Sequence, residues 1–413
     1  MGIGTNFALS EENSKNKMKN IHCFLLLLSI AAGLTEKARA QADTSKPVKV
    51  AVFIPMYADG VFDTISYTSD KPSLPKTVLP GLEFYNGVMM AIDSLNQDKT
   101  RAEISIYDTK QTRQSLIELM TKPELNNTGL MIAAITNTKE LKLFSDQALS
   151  KGIPLISATY PNYVGVSQNP NFVLLNSSFP AHLQGLYRHM QQYYSSNTII
   201  AVIKKGPTED YVKKYFTEIN KTAGSVPLKI KWVYIDANKI DAVNLTPSLD
   251  STKNNVVFVA SPQESFGLDV VKKLSSYESY KTTAIGMPTW DAMKDLDKPE
   301  CKNVDIVFST PFLYYSQNLN LSAAINKRYK ERYYSRPSDM VFKGFEVTYH
   351  FTKLLEKHKD SLVNNLTDTA FTLFNSFRLE PVLLRKTSPK PDLLENKKLY
   401  FIKKQAGSVK SII

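Results

Sequence analysis

The sequence predicts an α/β fold built on parallel sheets, and three observations carry that prediction. Strand-like runs alternate with helix-period runs along the chain, the first strand is almost continuously apolar (Val48, Val50, Ala51, Val52, Phe53, Ile54), and no short internal period or low-complexity tract interrupts the pattern. A strand buried on one face alternates with polar residues. A continuous apolar run therefore implies cover on both faces, as helices on either side of a parallel sheet supply it.

Taken in order, the first strand ends at Pro55, and Leu82, Tyr85, Val88, Met89, Ile92 and Leu95 then recur at three- and four-residue spacings. That spacing predicts a helix over 81–96 with those residues on the sheet. Between the two lie residues 56–80, with Tyr57, Asp59, Phe62, Tyr67 and three prolines. A βα connection usually needs only about two to six residues. At the carboxyl end of the first strand, this long loop sits where open α/β sheets bind ligands.

Further strands are predicted at 103–107, 130–135, 153–157, 172–175, 198–203, 228–235, 256–260, 282–285 and 304–309. Helices are predicted at 113–120, 139–150, 181–194, 209–222, 266–275, 322–334 and 338–356, the last with Val341, Phe345, Thr348, Tyr349, Thr352 and Leu355 on one side. The segment 379–408 reads as strands. Because a fresh strand and helix series begins near 177–180, that stretch is the first candidate crossing between two lobes.

At 413 residues and 43% hydrophobic content the chain has room for two such lobes and resembles neither a fibre nor a disordered chain. Its start reads as a leader. A basic stretch from Met18, an apolar run over 24–34 and Ala38-Arg39-Ala40 form a secretory signal, with cleavage expected after Ala40 and export to the periplasm. The apolar run falls short of the roughly twenty residues that cross a bilayer, so no span is expected in the mature chain. Cys23 precedes that run, which disfavours a lipid-attachment site, and Cys301 is the one cysteine left after cleavage. The formal charge is +12, its lysines spread without a block of five, as on a solvated basic surface.

Catalytic patterns are missing. No Gly-X-Ser-X-Gly elbow, phosphate loop or dinucleotide fingerprint occurs. His182 and His189, and His350 and His358, lack the spacing of a zinc-hydrolase helix, and solvent-facing or helix-end roles are expected of His182 and His189. Cys301 in DKPECKN has no evident base and reads as an ordinary thiol. Aromatics are not interleaved with basic residues in a nucleic-acid platform, so nucleic acid is not expected as a partner. Neither an enzyme nor a cofactor is indicated.

Several blocks occur in a recognisable order: KVAVFIP, GLEFYNGVMMAIDSL, ISIYDT, SDQALSKGIPLISATYPN, NPNFVLLNSSFPAHLQG, VDIVFSTPF and RPSDMVFKGFEVTYH. Over most of the mature chain they resemble the type 1 periplasmic binding proteins, in the branched-chain amino-acid or receptor ligand-binding branch, and look closest to Bacteroidetes envelope members. The resemblance implies two Rossmann-like lobes with parallel sheets, joined by three hinge crossings near 177–180, 310–312 and 379–385, closing on a ligand. Lobe 1 would comprise 46–177 and 312–385, and lobe 2 would comprise 178–311 and 386–413.

Family members hold a ligand's carboxylate and ammonium through loops that read here Thr136-Asn137-Thr138 and Ser157-Ala158-Thr159. The family's usual Gly-Pro before the first is Ala134-Ile135 in this chain. Thr136, Asn137 and Thr138 also suit helix capping. Tyr57, Tyr160, Lys205, Trp290 and Tyr314 complete the expected cleft lining, aromatics to stack and Lys205 to offer a charge. The function implied is an exported solute-binding protein for a small polar or amphipathic ligand, amino-acid-like or a short peptide, partnered by an ABC-type permease. The alternative is a non-transport interaction module acting on a cell-envelope protein, which the basic surface and the altered Gly-Pro position favour.

Overall fold

In β1 (Val48–Ile54) successive side chains enter two different cores. Val50, Val52 and Ile54 pack into one with α1 (Leu79–Gln97), while Ala51 and Phe53 pack into another on the opposite face with α3 (Thr138–Lys151). This is why the strand reads as an unbroken apolar run. The computed structural model describes residues 46–61, 74–111, 114–222, 224, 226–315, 318–385, 389–405 and 407–412. The expected leader, 1–40, and residues 62–73 of the long loop, with Phe62 and Tyr67, lie outside the described residues.

Among the described residues two seven-stranded sheets form. The first gathers β1, β2 (Ala102–Asp108), β3 (Leu130–Ala133), β4 (Leu155–Ser157), β5 (Phe172–Leu174), β11 (Leu379–Val382) and β12 (Leu393–Asn396), in the order β11-β12-β5-β4-β3-β1-β2. All neighbours are parallel except β11 and β12. The second gathers β6 (Thr198–Ile203), β7 (Lys229–Tyr234), β8 (Asn255–Val259), β9 (Thr282–Ile285), β10 (Val304–Thr310), β13 (Tyr400–Gln405) and β14 (Ser408–Ser411), in the order β14-β13-β10-β9-β8-β6-β7. There β13 and β14 run antiparallel.

The cores repeat the same logic. Val257 and Val259 face α6 (Glu264–Ser275), while Val256 and Phe258 face α4 (Phe179–Tyr194) and α5 (Pro207–Thr222). Further helices are a single turn at Ala58–Val61, α2 (Leu116–Met120), opened by a Ser115 and Glu118 capping box, α7 (Leu319–Tyr333) and α8 (Asp339–His358). Both α7 and α8 pack into the core of the first sheet. None of the described helices is long and apolar enough to cross a membrane.

Two expectations need correction. Of the expected inward face of α1, Val88 and Leu95 are buried, but Leu82, Tyr85, Met89 and Ile92 are only half-buried, and Gly81, Phe84, Gly87 and Ala91 are buried where no contact was expected. The reason is α8, which packs so closely on α1 that a Cβ at Gly87 would lie 2.1 Å from Val341 O, and one at Gly344 2.2 Å from Phe84 O. Counting apolar side chains overlooks glycines used for close approach.

The second correction concerns the tail. The chain changes sheet at 175–178, after Thr310, and at 397–399, because β11 and β12 both pair within the first sheet. The third crossing is therefore not at 379–385, and Leu393–Asn396 belongs with the first lobe. Polar side chains explain the stop. Buried Glu395 accepts hydrogen bonds from Ser178 N (2.8 Å) and Tyr163 Oη (2.7 Å), and Ser177 Oγ donates to Asn396 O at 2.6 Å. These contacts bind the first and third crossings to each other, a role invisible in a tail read as generic strands.

Candidate functional site

The carboxyl ends of parallel strands leave backbone and side chains facing outward, and here those ends converge from both sheets. Residues following β4 (Pro161, Asn162) and β5 (Asn176, Ser177) meet residues following β8 (Pro262, Glu264), β9 (Thr289, Asp291) and β10 (Thr310, Pro311, Phe312) around a cleft of about 630 Å³. Tyr314, with Asp339 and Lys343 on the first turns of α8, completes the wall of the first lobe, and Phe179 and His182 of α4 that of the second.

Aromatic and charged groups alternate on this wall. Phe312 stacks on Tyr314 (centroids 6.0 Å apart, 12° between planes), which in turn stacks on Phe342. Lys343 Nζ lies 4.0 Å from the Phe312 ring centroid, a cation–π contact. Burial lowers the Lys343 ammonium to about 8, with Asp339 and Asp291 opposing the fall. Thr310 Oγ1 donates to Asp291 Oδ2 at 2.9 Å. Asp291 and Asp339 are open to the cleft, yet enough wall surrounds them that desolvation raises both carboxyls, with the Asp339 charge adding to the rise at Asp291.

Behind the wall, Glu346 is fully buried and accepts from Phe374 N (2.8 Å), Asn375 N (2.6 Å) and Asn375 Nδ2 (2.7 Å). Asn375 Oδ1 in turn accepts from Leu313 N at 2.7 Å, which fixes the backbone between Phe312 and Tyr314. Desolvation raises the Glu346 carboxyl to about 7 against these bonds.

The expected site residues separate sharply. Tyr314 is in the lining, 3% exposed, its hydroxyl without a hydrogen-bond partner. Trp290 is not: it is fully buried in the core of the second lobe, with Gly286 and Gly267 against its ring. Lys205 is exposed away from the cleft. Thr136, Asn137 and Thr138 are exposed and also outside it; Asn137 Oδ1 accepts from Lys139 N and Glu140 N, so it caps α3. Thr138 Oγ1 and Tyr160 Oη share a 2.8 Å hydrogen bond that ties the two predicted loops together.

Ser157 and Ala158 are buried, and Thr159 Oγ1 donates to Ile135 O at 3.3 Å. None of the three lines the cleft, though Pro161 and Asn162 just beyond them do. Tyr57 also lies outside it. Its φ of 55° is held by Asp108, whose carboxylate accepts from Met56 N (2.9 Å), Tyr57 N (3.3 Å) and Ala58 N (2.8 Å). The predicted loops therefore hold the architecture beside the cleft more than its surface. A signal for the missed residues existed in RPSDMVFK, where Asp339 and Lys343 interrupt a helix otherwise headed for the core.

Among the described residues His182, His189 and His350 are buried and not solvent-facing, while His358 is half-buried at the end of α8. His189 stacks on Phe401 at 4.1 Å. His182 reaches the cleft wall, but its Nδ1 is hydrogen-bonded to Ser309 Oγ at 2.8 Å, and burial pushes it down to about 3. A group that weakly basic takes up no proton near neutrality and is a poor general base. Among the described residues no group of His, Cys, Asp and Glu is placed to hold a metal ion, and burial raises the Cys301 thiol.

Two lobes, each with a mostly parallel sheet, a triple crossing and a cleft at the strand ends define an architecture that solved structures share. A protein described as a branched-chain amino acid ABC transporter from Rhodospirillum rubrum superposes with a TM-score of 0.61 at 11% identity, covering 89% of this chain and 100% of that one. The chain has the type 1 periplasmic binding protein fold. A branched-chain amino acid ABC transporter periplasmic ligand-binding protein from Burkholderia xenovorans gives 0.56 at 11% identity (89% and 94% covered). An ABC transporter substrate-binding protein from Desulfitobacterium hafniense in complex with Leu gives 0.54 at 12% identity (88% and 99% covered). No protein-family model and no curated protein matches the sequence.

Proposed function

We propose that the protein is an exported, periplasmic solute-binding protein that captures a small molecule between its lobes by hinge closure and presents it to an ABC-type permease. The observation that carries this reading is the cleft of about 630 Å³ itself, walled by both lobes at the carboxyl ends of their strands and floored by Phe312 and Tyr314. The fold is shared with substrate-binding proteins of ABC transporters, which supports it. Binding fits the wall better than catalysis does, because His182 in the lining is a poor general base and no cysteine is among the described lining residues.

The test is a ligand panel of amines, amino acids, peptides, sugars and carboxylates, read by thermal shift with small-angle scattering for closure. A ligand at 100 times its Kd adds about 2.7 kcal/mol to the folded state, a shift of several degrees. The expected result is a saturable shift for one chemical class, with a smaller radius of gyration. No shift across the panel would refute solute binding and favour the interaction module.

A further inference from the structure

We infer, building on the solute-binding reading, that the cleft selects a cationic amine with an apolar body, its ammonium held between Asp291 of the second lobe and Asp339 of the first. The charge of the wall is the first ground. Glu264, Asp291 and Asp339 set three carboxylates against the single ammonium of Lys343, in a chain whose formal charge is +12. The cleft thus carries the opposite sign to the rest of the molecule, and low-dielectric walls concentrate that field. His182, neutral in its buried site, does not offset it.

Next comes the placement of Lys343. Four residues after Asp339 on α8, it makes no ion pair with either aspartate among the described residues; its Nζ lies over the Phe312 ring instead. Asp291 receives the Thr310 hydroxyl, which orients it while leaving its other oxygen for a donor. Independent of the charges, the stacked rings of Phe312 and Tyr314 give the same wall an aromatic surface on which an apolar body can rest.

A zwitterionic amino acid fits this wall less well. Its carboxylate would meet three like charges and one lysine already turned to a ring. The loop donors that could receive it are engaged: Asn137 has taken Lys139 N and Glu140 N, and Thr136–138 stands outside the cleft. Closing the lobes on an amine brings two facing carboxylates onto one positive charge, so their mutual repulsion falls on closure. A neutral or anionic ligand leaves that repulsion in place.

The experiment uses the mature full chain and two series with similar apolar bodies and different head groups: 2-phenylethylamine, 2-phenylethanol, phenylalanine and 3-phenylpropanoate, then pentylamine, pentanol, leucine and hexanoate. Affinities are read by calorimetry at two salt concentrations. The expected order puts the amine first in at least one series, with Kd weakening as salt rises, and about tenfold weaker in Asp291→Asn and in Asp339→Asn. The charge order in the unaltered protein stands whether or not a variant folds. If an amino acid, alcohol or carboxylate binds more tightly than the amine, or folded Asn variants keep full affinity, the amine assignment is overturned and solute binding survives. If no member of either series and no member of the wider panel binds, both fail.

Discussion

Replacing Gly87 by alanine ought to destabilise this protein, although Gly→Ala inside a helix ordinarily stabilises by up to about 1 kcal/mol. A Cβ at Gly87 would stand 2.1 Å from Val341 O and 2.8 Å from Phe345 N, both backbone atoms of α8, against 3.4 Å for ordinary contact. No side chain can rotate away, so α1 and α8 must part by about 1.3 Å, the difference between the two distances. A gap of 0.5–1 Å already forfeits about a quarter to a half of each dispersion contact. Those losses fall on Phe84, Val88, Phe345 and Phe351, which share the core of the first lobe. Overpacking costs about 3 kcal/mol at the upper end of its usual range; less the propensity gain, about 2 kcal/mol of destabilisation remains, a fall in Tm of about 2 °C for a chain of this length. Gly344→Ala meets Phe84 O at 2.2 Å in the same interface. Once the helices have parted for one methyl they accept the second cheaply, so the double variant is expected to lose about as much as a single one, not twice as much. Urea denaturation of the four proteins of the cycle measures this. A Gly87→Ala protein as stable as the parent, or strict additivity, would refute the close-packing argument.

Other consequences follow from the same contacts. Gly286→Ala would place its Cβ 2.0 Å from the Trp290 ring, so it should expel the indole from the core of the second lobe, seen as a red shift in fluorescence and a drop in Tm of several degrees. Unchanged emission would show that the ring has room to move. His182 has a folded pKa near 3, below its ordinary 6.5, so its unfolded form takes up the proton first and stability is lost as pH falls below about 6.5. Compared with His182→Asn, the parent should lose ground by about 1.4 kcal/mol per pH unit between roughly pH 6 and 4, with no change above pH 7. Taking the difference removes the opposite contribution of Glu346, whose raised pKa near 7 costs stability as pH rises through that value. A pH-independent difference would mean that His182 is not held neutral.

Much of the fold was legible because period and composition are local properties. The strands at 198–203 and 282–285 were predicted to the residue, and the strand at 304–309 fell within one residue of the observed end. Burial on both faces was readable from the Val48–Ile54 run alone. The inward face of α1 was misread because Gly87 buries nothing of its own; its value lies in how near another backbone can come. The tail was misassigned because pairing partners are chosen across more than two hundred residues, and Leu394 opposite Val173 leaves no trace in either segment.

For the cleft, sequence order pointed to the strand-end loops, and Tyr314 was the expected residue found in its wall. Trp290 shows the limit. A lone tryptophan after a strand reads equally as a ligand platform or as core, and only the space vacated by Gly267 and Gly286 decides for core. By itself the sequence determined an α/β chain of alternating strands and helices, since these depend on hydrophobic period and length. Only the tertiary structure decided which residues face the cleft. Asp291 comes from the second lobe and Asp339 and Lys343 from α8 of the first, and their meeting depends on sheet order, on the crossing at 397–399 and on the close fit of α1 against α8.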